Sequence, residues 1–160
     1  MIFYYLDASV WVKRYYQERG TRWVQQLFTD GVTLTCASLG VVEVTATLAR
    51  KAKARELSRG QLTRKMRELD EDWSRFIQIN LSVEAVKQAR EVARQRALRG
   101  ADAIHLASAL LLQSRFVEED DRLVFVASDH QLRDAARSAG FTVADPEEED
   151  SEAEPQSGGG

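Results

Sequence analysis

Cysteine is almost missing from this sequence, and so is any long apolar run. The single Cys36 among 160 residues excludes an internal disulfide, and with no second cysteine nearby it excludes a cysteine-built zinc knuckle, so a reducing, cytoplasmic setting is expected. No segment approaches the roughly 20 apolar residues of a bilayer span. Met1 to Leu6 is too short for a signal h-region and runs directly into Asp7 with no basic stretch before it, so no membrane association is expected. Three catalytic signatures are also missing: a Gly-x-Ser-x-Gly turn, a P-loop and a dinucleotide fingerprint. A serine hydrolase built on a nucleophile elbow and the common nucleotide-binding domains are therefore set aside.

Basic residues are also missing where the acids are densest. The last 16 residues hold Asp145, Glu147, Glu148, Glu149, Asp150, Glu152 and Glu154 but no Lys or Arg. The net charge of -3 over 25 acids and 22 bases thus divides into an acidic tail of seven and a body carrying 18 acids against 22 bases, a formal +4. The tail, residues 145–160, is nearly free of apolar side chains and reads as disordered. The body, residues 1–144, is mildly basic, which is compatible with a polyanionic partner.

What is present is one globular domain, long enough to bury its own core without a structural metal. Ile2 to Leu6 reads as a buried strand, and Ala8, Trp11, Val12, Tyr15 and Tyr16 place a helix directly after Asp7. Gly20 stops it, and Thr21 to Phe28 forms a second helix. Val32 to Thr35 and Ile77 to Leu81 read as strands. Between them lie a helix from Ser38 to about Lys53 and one capped by Ser58, whose stripe Leu62, Met66, Leu69, Trp73 and Phe76 is spaced for core packing or for a second subunit or partner helix. Helices from Ser82 to about Leu98 and from Ala101 to Ser114 follow, then a strand Leu123 to Ala127, a helix ending at Gly140 and a strand Phe141 to Val143. This alternation predicts an α/β fold with a parallel sheet covered on both faces.

Four carboxylates stand out against that frame. Asp7 and Asp129 each follow a buried strand, and ligands of parallel sheets bind beyond the carboxyl ends of the strands. The plain alternative is that each caps the next helix. Glu43 is the only charged residue between Gly31 and Ala49, so a buried carboxylate there needs a cation or a set of donors opposite it; an exposed stripe shared with Thr45 and Thr47 is the other reading. Asp102 opens the helix of His105, where an acid is also favoured by the helix dipole. Gathered together, these acids repel one another, and a hard divalent cation, Mg²⁺ or Mn²⁺, with oxygen ligands relieves the repulsion. Chemistry on phosphodiesters follows from such a site.

At these residues the sequence resembles PIN-domain ribonucleases, in particular the VapC toxins of type II toxin-antitoxin systems. The likeness rests on Asp7-Ala8-Ser9, on Glu43, on Arg99-Gly100-Ala101-Asp102-Ala103-Ile104-His105-Leu106-Ala107 and on Val126-Ala127-Ser128-Asp129-His130-Gln131-Leu132. The resemblance implies a three-layer α/β/α fold with a short, mainly parallel sheet. It implies an endoribonuclease in which Asp7, Glu43 and Asp102 hold Mg²⁺ or Mn²⁺ and Asp129 supports the site or a second ion. Ser9 would bond within the acidic set, with Ser128 standing where Thr is often seen. An RNA substrate, a cognate antitoxin and a homodimer are the partners it implies. The rival readings are a DNA or structure-specific nuclease and a catalytically silent module that binds RNA or protein.

Arg99, Arg14 and Lys13 are the expected phosphate contacts, with the bases between Arg50 and Arg67 as further candidates. His105, three residues beyond Asp102, reads as a donor to the acids or a packed polar residue rather than a general base, since hard cations prefer oxygen. His130 reads as surface.

Overall fold

The computed structural model describes residues 1–153. In chain order the elements are β1 (Ile2–Leu6), α1 (Ala8–Trp11), a 3₁₀ turn (Val12–Arg14), α2 (Thr21–Leu27), β2 (Thr33–Ala37), α3 (Ser38–Lys53) and α4 (Arg59–Trp73). They continue as β3 (Ile77–Ile79), α5 (Val83–Arg96), α6 (Gly100–Phe116), β4 (Arg122–Val126), α7 (His130–Ser138), β5 (Thr142–Ala144) and α8 (Pro146–Ala153). The strand order is β3-β2-β1-β4-β5, every pairing parallel. Successive strands run outward from β1 first to one side and then to the other, so the order reverses between β1 and β4.

Alternation along each strand assigns its side chains to two helical layers. Phe3, Tyr5, Leu123 and Phe125 face α5, α6 and α7, while Leu6, Val124 and Val126 face α1 to α4. Tyr5 stacks on Phe125 with centroids 5.3 Å apart, and on the opposite face Trp11 stacks on Phe76 at 4.6 Å. Each fully buried large apolar side chain contributes about 1.5–3 kcal/mol. The stripe on α4 belongs to this second layer: Leu69 and Phe76 are buried, with Leu62, Met66 and Trp73 packed against the same core. Its N-terminus is a capping box, Ser58 accepting from the Gln61 amide at 3.1 Å while the Ser58 amide donates to the Gln61 side chain at 2.8 Å.

Two expectations change. The first helix leaves α geometry after Trp11, and the last turn tightens where Tyr15 Oη donates to Asp72 at the end of α4, 2.8 Å away. The acidic segment expected to be disordered from residue 145 instead continues as α8, so the folded body does not end at 144. Asp145 and Pro146 are buried, and Asp150 Oδ1 accepts the Trp23 amide of α2 at 2.8 Å. The rest of that tail, 154–160, lies outside the described residues. Among the described residues no helix is long and apolar enough to cross a membrane.

Candidate active site

The reversal between β1 and β4 opens a crevice at their carboxyl ends, and Asp7 is built into its floor. Its amide donates to Val126 O at 3.0 Å and its carbonyl accepts the Trp11 amide at 2.9 Å, so backbone bonds knit the residue between β4 and α1. It occupies the N-cap position, but its carboxylate makes no cap hydrogen bond. That carboxylate is buried, and the Ser9 hydroxyl donates to Oδ2 at 2.5 Å. A helix cap is therefore not the reason for an acid here.

Asp102 enters the same crevice from the first turn of α6. Its pKa is raised above the ordinary carboxylate range first by burial and then by the charges of Asp7 and Asp129, with His105 and Arg99 pulling the other way. Three acids thus share one electrostatic environment. Asp129 divides its carboxylate: Oδ2 accepts the Leu132 amide at 2.8 Å and caps α7. The capping alternative holds for that oxygen.

Glu43 projects from the middle of α3, and the compensating donor is His105. Its Nε2 donates to Glu43 Oε1 at 2.6 Å and lies 3.7 Å from Asp7 Oδ1. On the other side of the ring, Nδ1 is 2.8 Å from Tyr5 Oη, which also accepts the Ala37 amide at 3.1 Å. Burial opposes a charge on the His105 ring, but Tyr5, Cys36 and Glu43 around it outweigh that and lift its pKa well above the usual value. Burial likewise holds the Tyr5 phenol above its usual range.

The donors available are carboxylate oxygens on four elements, the chemistry a hard divalent cation takes. Burial raises the pKa of Asp102 most, and the further rise due to the charges of Asp7 and Asp129 reflects a repulsion that such a cation relieves. These residues fit the group. Among the described residues no three His, Cys, Asp or Glu side chains converge as a ready-made metal site; one oxygen of Glu43 faces His105, and one of Asp129 faces the α7 amide.

Several supporting residues sit elsewhere than expected. Lys13 is buried and pairs with Glu18 at 3.2 Å and with Glu147 of α8 at 3.7 Å, so it is not free for a phosphate. Arg14 pairs with Asp72 at 3.3 Å and lies over the Phe28 ring. Ser128 turns away from the acids: its hydroxyl donates to Asp145 at 2.8 Å, and Asp145 also pairs with Arg133 at 3.3 Å. Arg99 is exposed at the N-cap of α6, and no acid lies within ion-pairing distance of it among the described residues. His130 is on the surface beside Asp134. Sequence reading missed Tyr5, whose apolar strand context hid its hydroxyl, and Asp145, which was counted with the tail. A cleft of about 410 Å³ lies at the opposite end of the sheet around Arg122 and Phe141 and holds none of the four acids.

A three-layer α/β/α domain with acidic side chains at the strand reversal is the class of protein that fold and site define. A PIN-domain profile matches residues 4–137. Ribonuclease VapC45 and Ribonuclease VapC49 from two Mycobacterium tuberculosis strains are each 36% identical over 141 residues, 88% of this chain and 93% of theirs. The chain belongs to the PIN-domain family, and its sequence is VapC-like. The fold is shared with PAE2754 from Pyrobaculum aerophilum (TM-score 0.63, 19% identity, 92% of this chain and 85% of that one). It is shared too with VapBC2 from Rickettsia felis bound to a DNA fragment from their promoter (TM-score 0.59, 14% identity, 91% and 98%).

Proposed function

We propose that this protein is a Mg²⁺- or Mn²⁺-dependent endoribonuclease, the toxin of a toxin-antitoxin pair. The observation that carries the reading is the placement of Asp7 and Asp102 at one crevice with Asp129 near enough for its charge, like that of Asp7, to act on Asp102, and with Glu43 joined to Asp7 through His105. The sequence relatives named as VapC ribonucleases support it.

Asp7, Glu43 and Asp102 would hold the cation, with the remaining oxygen of Asp129 as a further donor. When bound, the cation polarises a phosphate oxygen and makes water a better nucleophile. Ionised carboxylates only accept hydrogen bonds and repel a phosphodiester, so the crevice alone does not welcome RNA. Ser9 fixes one oxygen of Asp7. Arg99, next to the start of α6 and without an ion-pair partner among the described residues, is placed to meet a backbone phosphate. The mildly basic body adds a diffuse, salt-sensitive attraction. A cognate antitoxin and a second copy of the chain complete the proposal, and solved relatives in fold include a toxin-antitoxin complex from Klebsiella pneumoniae and DNA-bound VapBC from Salmonella typhimurium.

The test is a thermal melt and an RNA digest run together. Mn²⁺ at about 100 times its Kd stabilises the native state by about 2.7 kcal/mol, a rise of about 5–10 °C for a chain of this size. Asp7→Asn is expected to lose both the rise and the cleavage of an RNA pool. Wild type that shows neither, but binds RNA weakly and only at low salt, is a silent module.

A further inference from the structure

Why should a buried histidine stand behind two carboxylates in a site built for oxygen donors? We propose that His105 is a positioning residue, anchored by Tyr5 on one ring nitrogen and fixing the Glu43 carboxylate with the other. The inference rests on the reading of the crevice as a cation site and goes beyond it, since it assigns a task to two residues that touch neither cation nor RNA.

Tyr5 and His105 are both fully buried, and the phenol is itself immobilised between the Ala37 amide and the Phe125 ring. The imidazole stands edge-on to Tyr5 at 5.9 Å. Its position along α6 is therefore set from β1 and from the end of β2, while Glu43 arrives from α3. Gly40 makes this approach possible: a Cβ there would run into Cys36 Sγ and stand 3.5 Å from the His105 ring. Both groups facing Nε2 are carboxylates, at 2.6 and 3.7 Å. Nε2 must carry a hydrogen whichever state the ring adopts, because a carboxylate offers it only acceptors. The relay so defined connects β1, β2, α3 and α6 through side-chain polar groups.

A glutamate side chain loses rotamer freedom when it is fixed. With Oε1 held by His105, the carboxylate is oriented before any ligand arrives and its other oxygen is left for the crevice. A merely structural histidine would need only to fill its space. A glutamine at the same position keeps a donor near Nε2, whereas an asparagine reaches only as far as Nδ1.

The experiment compares His105→Gln with His105→Asn by Mn²⁺ titration calorimetry and records histidine ring NMR of the metal-free wild type and of Glu43→Gln. Loss of an orienting partner typically lowers metal affinity 10–100-fold. His105→Asn is expected to bind Mn²⁺ at least tenfold more weakly than wild type, and His105→Gln to recover most of that loss, with melting temperatures that do not follow the same order. The His105 Nε2 proton is expected to be protected from exchange and to shift in Glu43→Gln. Equal Mn²⁺ affinity in wild type and both variants overturns the proposal, and so does an Nε2 proton indifferent to Glu43→Gln. Wild type that binds no Mn²⁺ overturns the cation reading instead, while the ring spectrum still decides the relay.

Discussion

Gly20 gives a direct measure of how firmly the acidic helix α8 is seated. Its φ is +89°, a backbone conformation that costs an L-residue about 1–2 kcal/mol, and a Cβ built there would stand 2.7 Å from Pro146 Cβ and 3.0 Å from the Pro146 carbonyl carbon. Gly140 is the natural control, with φ +97° and nothing within 4 Å of its Cβ. Gly140→Ala therefore meets only the backbone strain, about 1 kcal/mol after the entropy lost by the unfolded chain is counted. Gly20→Ala adds the displacement of α8. That loosens buried Pro146, strips the Trp23 amide of Asp150 and removes Glu147 from Lys13, together about 1–3 kcal/mol more. At about 2–4 °C per kcal/mol for a domain of this size, the control falls about 2–4 °C and Gly20→Ala about 4–16 °C. Melting by circular dichroism gives the totals, and hydrogen exchange over residues 146–153 shows whether the loss is local. Equal melting temperatures for the two variants, with unchanged exchange in α8, would refute the docking argument.

Asp102→Asn is expected to raise the melting temperature of metal-free protein at neutral pH while abolishing cleavage. The folded state holds this acid's pKa above the unfolded value, so native protein binds the extra proton and loses stability as pH rises through that range. The gain for this half-exposed group stays below about 1 kcal/mol and vanishes near pH 3, where the acid is protonated in both states, as melts across pH will show. Arg99→Ala is expected to lower the slope of log affinity for RNA against log salt by about one, whereas Lys13→Met should leave that slope alone and lower stability; filter binding at several salt concentrations separates them. Leu132→Ala, at a fully buried position on α7, should cost about 2–5 kcal/mol in denaturant unfolding.

The legible parts of this protein are those where a short segment carries its own physics. Ile2 to Leu6 running into Asp7 declares a buried strand with an acid at its end, and the lone charge in Gly31 to Ala49 declares a carboxylate in need of a partner. What stayed hidden depends on meetings across the chain. His105 reaches Tyr5 across 100 residues, and nothing in a strand of aromatic and branched residues marks one hydroxyl as a polar anchor. Lys13 looked like a surface base because its partner Glu147 lies in a segment whose acidic composition reads as disorder. Ser128 looked like part of the acidic set by position alone, and the hydroxyl turned instead to Asp145. Edges of elements moved by a residue or two, as at β2, where Cys36 and Ala37 extend the strand beyond the expected Thr35.

The placement of β1 has a consequence for how the protein is made. This first strand pairs along its whole length with β4, Ile2 opposite Arg122 and Leu6 opposite Val126. Local contacts cannot supply that pairing, and long-range parallel pairing is slow to form. During synthesis the amino-terminal strand, with Asp7 at its end, must wait beside β2 until residue 126 has been added and released. Until then its β4 edge and the Tyr5 ring, which stacks on Phe125, lack much of their cover, and Asp129 has not been made. A nascent chain therefore lacks one of the four acids until residue 129 has been added, and is most prone to aggregation in that same interval.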